Sequence, residues 1–151
     1  MNKALTIALC ALSLAACRSI DAQVPEGFAR YESQSERHAS SLRAVSPEGV
    51  VFRVRREKTT QAAELAFWKA ALKKRMLDAG YHFVSATDIT ARGGPAHVLE
   101  LAAPLGSRDY GYRVALFAKE KDLLIAEAAG EVLHLKKHKK AIDAAFASIT
   151  H

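Results

Sequence analysis

The stretch YGYRVALFAKEKDLLIAEAA, residues 110–129, decides the fold. It holds two apolar runs, YGYRVALFA and DLLIAEAA, joined only by KEKD. Parallel strands need a crossover of a dozen or more residues, whereas antiparallel strands need only a tight turn. The two runs are therefore antiparallel neighbours. Working outward, HVLELAA (97–103) reaches the first run through PLGSRD, and YHFVSAT (81–87) reaches HVLELAA through a segment containing ARGGP. These connections are short and rich in turn residues, so the four strands read as a meander.

Upstream, SLRAVSPEGVVFRVRRE (41–57) reads as a strand pair around the turn Ser46, Pro47, Glu48, Gly49. In its second strand Val50, Phe52 and Val54 alternate with Val51, Arg53 and Arg55, which gives one buried face and one face carrying arginines. Between the pair and the meander, residues 61–79 place Leu65, Trp68, Leu72, Met76 and Ala79 on one helical stripe. Thr59 or Thr60 is the expected cap and Gly80 the expected stop. A last helix over residues 131–149 carries Leu135, Ile142, Phe146 and Ile149 on its apolar stripe. The expected class is α+β: an antiparallel sheet of about five to six strands flanked by two helices.

The first seventeen residues, MNKALTIALCALSLAAC, have a basic start, an uncharged core and small residues before Cys17. Only 13 uncharged residues lie between Lys3 and Cys17, short of the roughly 20 needed to cross a bilayer. Leu14-Ala15-Ala16-Cys17 resembles the lipobox of bacterial lipoproteins. That resemblance implies cleavage before Cys17, a diacylglycerol thioether on its sulfur and a third acyl chain, commonly palmitate, on the new amine. Arg18 stands where an inner-membrane retention signal has Asp, so the resemblance favours the outer membrane, periplasmic side. Cys10 falls in the removed segment, leaving no disulfide, thiolate zinc site or catalytic thiol in the mature chain.

The expected organisation is a signal peptide over residues 1–16, a lipidated cysteine and tether over 17–27, and one domain over 28–151. The chain carries 22 Lys and Arg against 16 Asp and Glu, a formal net charge of +6. In an exported protein this mild excess suits anionic lipid or an acidic partner rather than nucleic acid. The order strand pair, helix, four strands, helix resembles the PsbP-like and DcrB-like α/β/α sandwich domains, which implies a non-enzymatic accessory role in the envelope. A cystatin-like layout, one helix against an antiparallel sheet, is the rival architecture.

The residues that carry chemistry form no recognised constellation. His134 and His138 share a helical face with Glu131 but sit among lysines whose charge opposes a dication, so no metal or cofactor is expected. Ser85 and Ser107, with His82 or His97 and Asp88 or Asp109, lie outside any nucleophile elbow. Glu100 and Glu127 are the one carboxylate pair that strands could bring face to face. Gly93-Gly94-Pro95 reads as a turn.

Features suited to a partner are Phe67, which projects away from the Leu65 stripe, and the cluster Tyr110, Tyr112 and Arg113, because tyrosine and arginine anchor interfaces. Lys136, Lys137, Lys139 and Lys140 are candidates for contact with anionic lipid. The sequence thus points to a lipid-anchored accessory or binding protein of the cell envelope without catalytic activity. The alternative is a carrier of a small hydrophobic ligand or lipid, with its pocket near Trp68, Tyr81 and Phe83.

Overall fold

The hairpin of residues 110–129 stands at the middle of the sheet. In the computed structural model, which describes residues 20–31, 41–105 and 108–150, strands β6 (Arg108–Lys119) and β7 (Asp122–Glu131) pair antiparallel from Tyr110 opposite Glu131 to Lys119 opposite Asp122. The meander continues outward through β5 (Gly94–Leu105) to β4 (His82–Ala91), which forms one sheet edge. On the other side of β7 lies β3 (Val51–Lys58), then β2 (Ser41–Val45), then the two-residue β1 (Ala29–Arg30). The sheet therefore has seven strands, not five to six, in the order β1-β2-β3-β7-β6-β5-β4. The β3 to β7 pairing joins the two sequence-local units, and it is a long-range contact that no local pattern announces.

Both faces of the sheet are covered, because a strand with apolar residues at successive positions has to bury both. Leu123, Leu124 and Ile125 on β7 are all buried. Helix α1 (Leu65–Asp78) lies over β4, β5 and β6, and its Leu65, Trp68, Leu72 and Met76 pack on Leu99, Leu101, Val114, Leu116, Leu123 and Ile125. The expected stripe holds for Leu65, Trp68, Leu72 and Met76, but Ala79 is the exposed C-cap, and the helix begins at Leu65 rather than at 61. Its N-cap is Glu64 without a side-chain cap, and Thr59 instead donates to the Gln61 carbonyl. The stop at Gly80 is as expected: its φ of 88° is open to glycine, and Gly80 and Tyr81 donate to the Leu77 and Met76 carbonyls.

The opposite face carries the larger core, with Phe52, Val54, Phe117, Leu124, Ile142, Phe146 and Ile149 fully or almost fully buried. The single last helix expected over 131–149 is two: α2 (Val132–Lys137) and α3 (Lys139–Ser148), broken at His138. The break re-aims the chain so that Leu135 on α2 and Ile142, Ala145 and Phe146 on α3 all reach the same core.

The expected tether also needs correction. Ile20, Ala22, Val24 and Phe28 pack against the larger core, Asp21 forms a bridge with Thr150, and Gln23 N–H donates to Ser148 Oγ at 2.9 Å. Alternate apolar residues at 20, 22 and 24 were the signal for this extended strap. Cys17 and the signal segment lie outside the described residues, as do Ser107 and most of the serine-rich stretch after Tyr31.

Candidate functional site

A register row across the sheet sets the site. Phe52, Ala128, Arg113, Glu100 and Ser85 stand opposite one another on β3, β7, β6, β5 and β4, all on the face covered by α2 and α3. Arg113 is 6% exposed. Its Nε donates to Glu100 Oε1 at 2.9 Å and its Nη2 to Asp143 Oδ1 on α3 at 2.5 Å, while its guanidinium stands 5.7 Å from the Phe146 ring centroid. Ser85 Oγ donates to the other Glu100 oxygen at 3.0 Å. Lys139 closes the group, 2.8 Å from Asp143 Oδ2 and 3.7 Å from Glu100 Oε1. Burial pushes the Asp143 carboxyl up, but hydrogen bonds from Lys139 and Arg113 outweigh it and hold it below the ordinary aspartate value.

One part of this cluster is incomplete. A guanidinium has five N–H donors, and Arg113 Nη1 is buried with no hydrogen-bond partner. An unmatched buried donor costs about 1–3 kcal/mol, more when charged. Two cavities flank it. One of about 220 Å³ is lined by Val84, Leu101, Ala102, Val132 and Leu135, with Arg113, Glu100, Lys136 and Lys139 at its polar end. The other, about 320 Å³, lies toward Thr87, Ile89, Val98 and Ala147. Gly111 lets α2 approach closely here: a Cβ would stand 2.6 Å from Leu135 Cδ2.

The opposite face holds two separate groups. Tyr112 donates its hydroxyl to Glu127 Oε1 at 2.7 Å, Arg55 grips the same carboxylate at 3.2 and 3.4 Å, and the Tyr81 ring lies 5.6 Å from that of Tyr112. Burial, then the bond to Glu127, pushes the Tyr112 phenol well above its ordinary value near 10. A group raised in this way contributes stability below the unfolded pKa and loses it as pH rises. Tyr112→Phe is therefore expected to leave the alkaline absorbance titration at about 295 nm unchanged near pH 10; loss of one tyrosine's amplitude there would mean that the phenol ionises normally. Nearby, Asp88 accepts from Lys69 at 2.6 Å and stands 2.7 Å from His97 Nδ1, and both neighbours hold its carboxyl below the ordinary value.

Pleat parity separates what the sequence grouped. Tyr112 faces α1, whereas Arg113 is enclosed beneath α3 and is not presented to a partner. Tyr110 is half-buried on the Tyr112 side. Glu100 and Glu127 lie on opposite faces, so they form no carboxylate pair across a substrate. Ser85 and His97 are likewise on opposite faces, which removes that dyad. Among the described residues no group of three His, Cys, Asp or Glu converges on a metal position; His138 instead meets Glu48 at 2.8 Å, with Phe28 edge-on at 5.0 Å.

The predicted partner residue Phe67 is 56% exposed, its ring edge-on to Trp68 at 5.0 Å. Trp68 and Tyr81 pack in the α1-side core, and Lys73 caps the exposed Phe83 ring at 4.0 Å, so the apolar 220 Å³ cavity is on the other face from the pocket expected near these residues. The four lysines do not make one patch. Lys137 pairs with Glu48, Lys139 with Asp143, Lys140 borders the 23–26 strap, and Lys136 makes no ion pair among the described residues. The Arg113 site itself was missed because Arg113, Glu100 and Asp143 are far apart in sequence. Only the parity of β5 and β6, matched through their hairpin, could have paired the first two.

No protein-family model and no curated protein matches the sequence. Solved structures do match the fold. LpqN of Mycobacterium tuberculosis, described as involved in cell envelope biogenesis, superposes with a TM-score of 0.66 at 15% identity over 87% of this chain and 83% of its own. A protein of unknown function from Pseudomonas aeruginosa, PA94, gives 0.63 at 17% identity over 82% and 96%. The cyanobacterial PsbP of Synechocystis gives 0.55 at 11% over 83% and 82%. The domain is thus structurally similar to PsbP-like α+β domains, as the element order implied, and the likeness at these identities is one of fold.

Proposed function

We propose that this chain is an exported lipoprotein, lipidated at Cys17 and held at the envelope membrane, that acts as a binding module without catalytic activity. The observation that carries the reading is Leu14-Ala15-Ala16-Cys17 followed, three residues later, by the start of a packed domain at Ile20. Two or more acyl chains make anchoring stable, where one alone is marginal. The fold likeness to an envelope protein supports the same address.

The packed strap makes the geometry tighter than a tether allows. Three residues reach at most about 11 Å, so the domain would rest against the lipid surface at its Asp21 and Thr150 end. The β4–β5 turn belongs to that end, since Arg92 and Gly93 N–H donate to the Ala147 and Ile149 carbonyls. Lys139 and Lys140 begin α3 at its other end, about 15 Å away along ten residues. They reach anionic lipid only if α3 lies along the membrane. The outer membrane remains the favoured destination because Arg18 follows the cysteine.

Support for binding rather than catalysis comes from how the polar side chains are used. Asp88 with His97, Glu127 with Tyr112, and Ser85 with Glu100 are each engaged by partners within the chain. The Arg113 cavity is instead apolar with one charged end, the form of a ligand site. The test is Cys17→Ser in cells fed a clickable palmitate. The native chain is expected to carry label and sediment with membranes, and the variant to lose both. A variant that still carries label and stays in the membrane fraction would overturn the anchor.

A further inference from the structure

We propose that the cavity between α2 and strands β4 to β6 binds a small amphipathic carboxylate, its apolar body against Val84, Ala102, Val132 and Leu135 and its carboxylate against Arg113 and Lys136. This deepens the binding-module reading and rests on it, though not on the lipid anchor.

Volume sets the size of the body. A cavity of about 150 Å³ takes benzene, so the 220 Å³ here takes about nine carbon-sized atoms. A lone inorganic ion leaves the apolar walls unfilled. The walls are aliphatic, while the charged groups gather at one end, which orients a ligand that has one polar head.

Charge sets the head. Glu100 and Asp143 occupy the Nε and Nη2 edges of Arg113, and Nη1 remains buried and unmatched. Lys136 lines the same cavity and makes no ion pair among the described residues. Within this group Arg113, Lys136 and Lys139 stand against Glu100 and Asp143, an excess of one positive charge, while Asp109 and Glu131 share the adjoining groove with Lys136. A monoanion balances that excess. A phosphate dianion would overshoot and meet repulsion from Glu100 and Asp143. A carboxylate at this end accepts charge-assisted hydrogen bonds, which are the strong ones.

The test uses the full chain in membranes from the cells that make it, with an eight-carbon carboxylate bearing a terminal diazirine as photoprobe. Octanoate and octanol serve as competitors, and mass spectrometry locates the adduct. Labelling is expected to saturate, to fall on the segments around Val84, Ala102 or Val132, and to be displaced by octanoate but not by octanol. Lys136→Glu is expected to weaken it about tenfold, the effect of losing one charge-assisted contact. Ala102→Leu, which fills the cavity from a half-buried position, is expected to abolish it without lowering the melting temperature. Equal displacement by octanol would overturn the anionic head, and labelling indifferent to both substitutions would overturn the location. Labelling that octanoate fails to displace would overturn the site altogether. Labelled protein recovered in the soluble fraction would refute the anchor and leave this inference standing; unlabelled protein in the membrane would do the reverse.

Discussion

Phe146→Ala is expected to lower the unfolding free energy by about 3–5 kcal/mol, the range for removing a buried aromatic ring. Phe146 is fully buried, 5.9 Å from the equally buried Phe52, and it links α3 to β3 across the larger core. Its ring also lies under the Arg113 guanidinium, so its loss opens a void beneath a charge. A domain of this size has a total stability of about 5–15 kcal/mol, so the variant should be near the limit of folding. Urea unfolding followed by circular dichroism is the measurement, with a lower midpoint at unchanged slope expected. A loss under about 1 kcal/mol would mean that α3 is not seated on this core.

Arg113→Met is expected to cost about 2–3 kcal/mol near pH 7. Breaking a fully buried pair costs about 3–5 kcal/mol; the lower figure applies because the partners Glu100 and Asp143 keep 26% and 44% of their side-chain surface in solvent. The pH dependence has a definite sign. Asp143 is held below its unfolded value of 3.8, so its contribution is present above that value and fades as pH falls through the folded one. The gap between native and variant should therefore narrow on acidification below about pH 4. Paired urea titrations at neutral and acid pH check it, and a gap independent of pH would show that Arg113 acts by packing alone.

Local signals made much of this fold legible. The KEKD connection and its neighbours required an antiparallel meander, and the stripe of Leu65, Trp68, Leu72 and Met76 required a helix on the sheet. The alternation of Phe52 and Val54 with Arg53 and Arg55 gave β3 its inner face. What stayed hidden was long-range. Nothing near β3 states that it pairs with β7, and a two-residue β1 has too little pattern to detect. The break at His138 is hidden because the apolar positions on both sides still fit one helical stripe.

The site failed for a simpler reason. Tyr112 and Arg113 are adjacent in sequence and therefore opposite in space, as successive residues of a strand must be. Glu100 was weighed against Glu127 when its true neighbour, by register with β6, is Arg113. Strand parity carried through the hairpins would have placed Ser85, Glu100 and Arg113 together. The contribution of Asp143 from α3 would still have been invisible.

Processing and lipidation at Cys17 decide where the protein resides, and the direct measurement is the mass of the protein purified from membranes. The predicted species begins at Cys17, lacks residues 1–16, and carries a diacylglycerol thioether together with one further acyl chain. A chain that retains residues 1–16, or one that begins elsewhere with a free Cys17 thiol, would contradict the anchored reading outright.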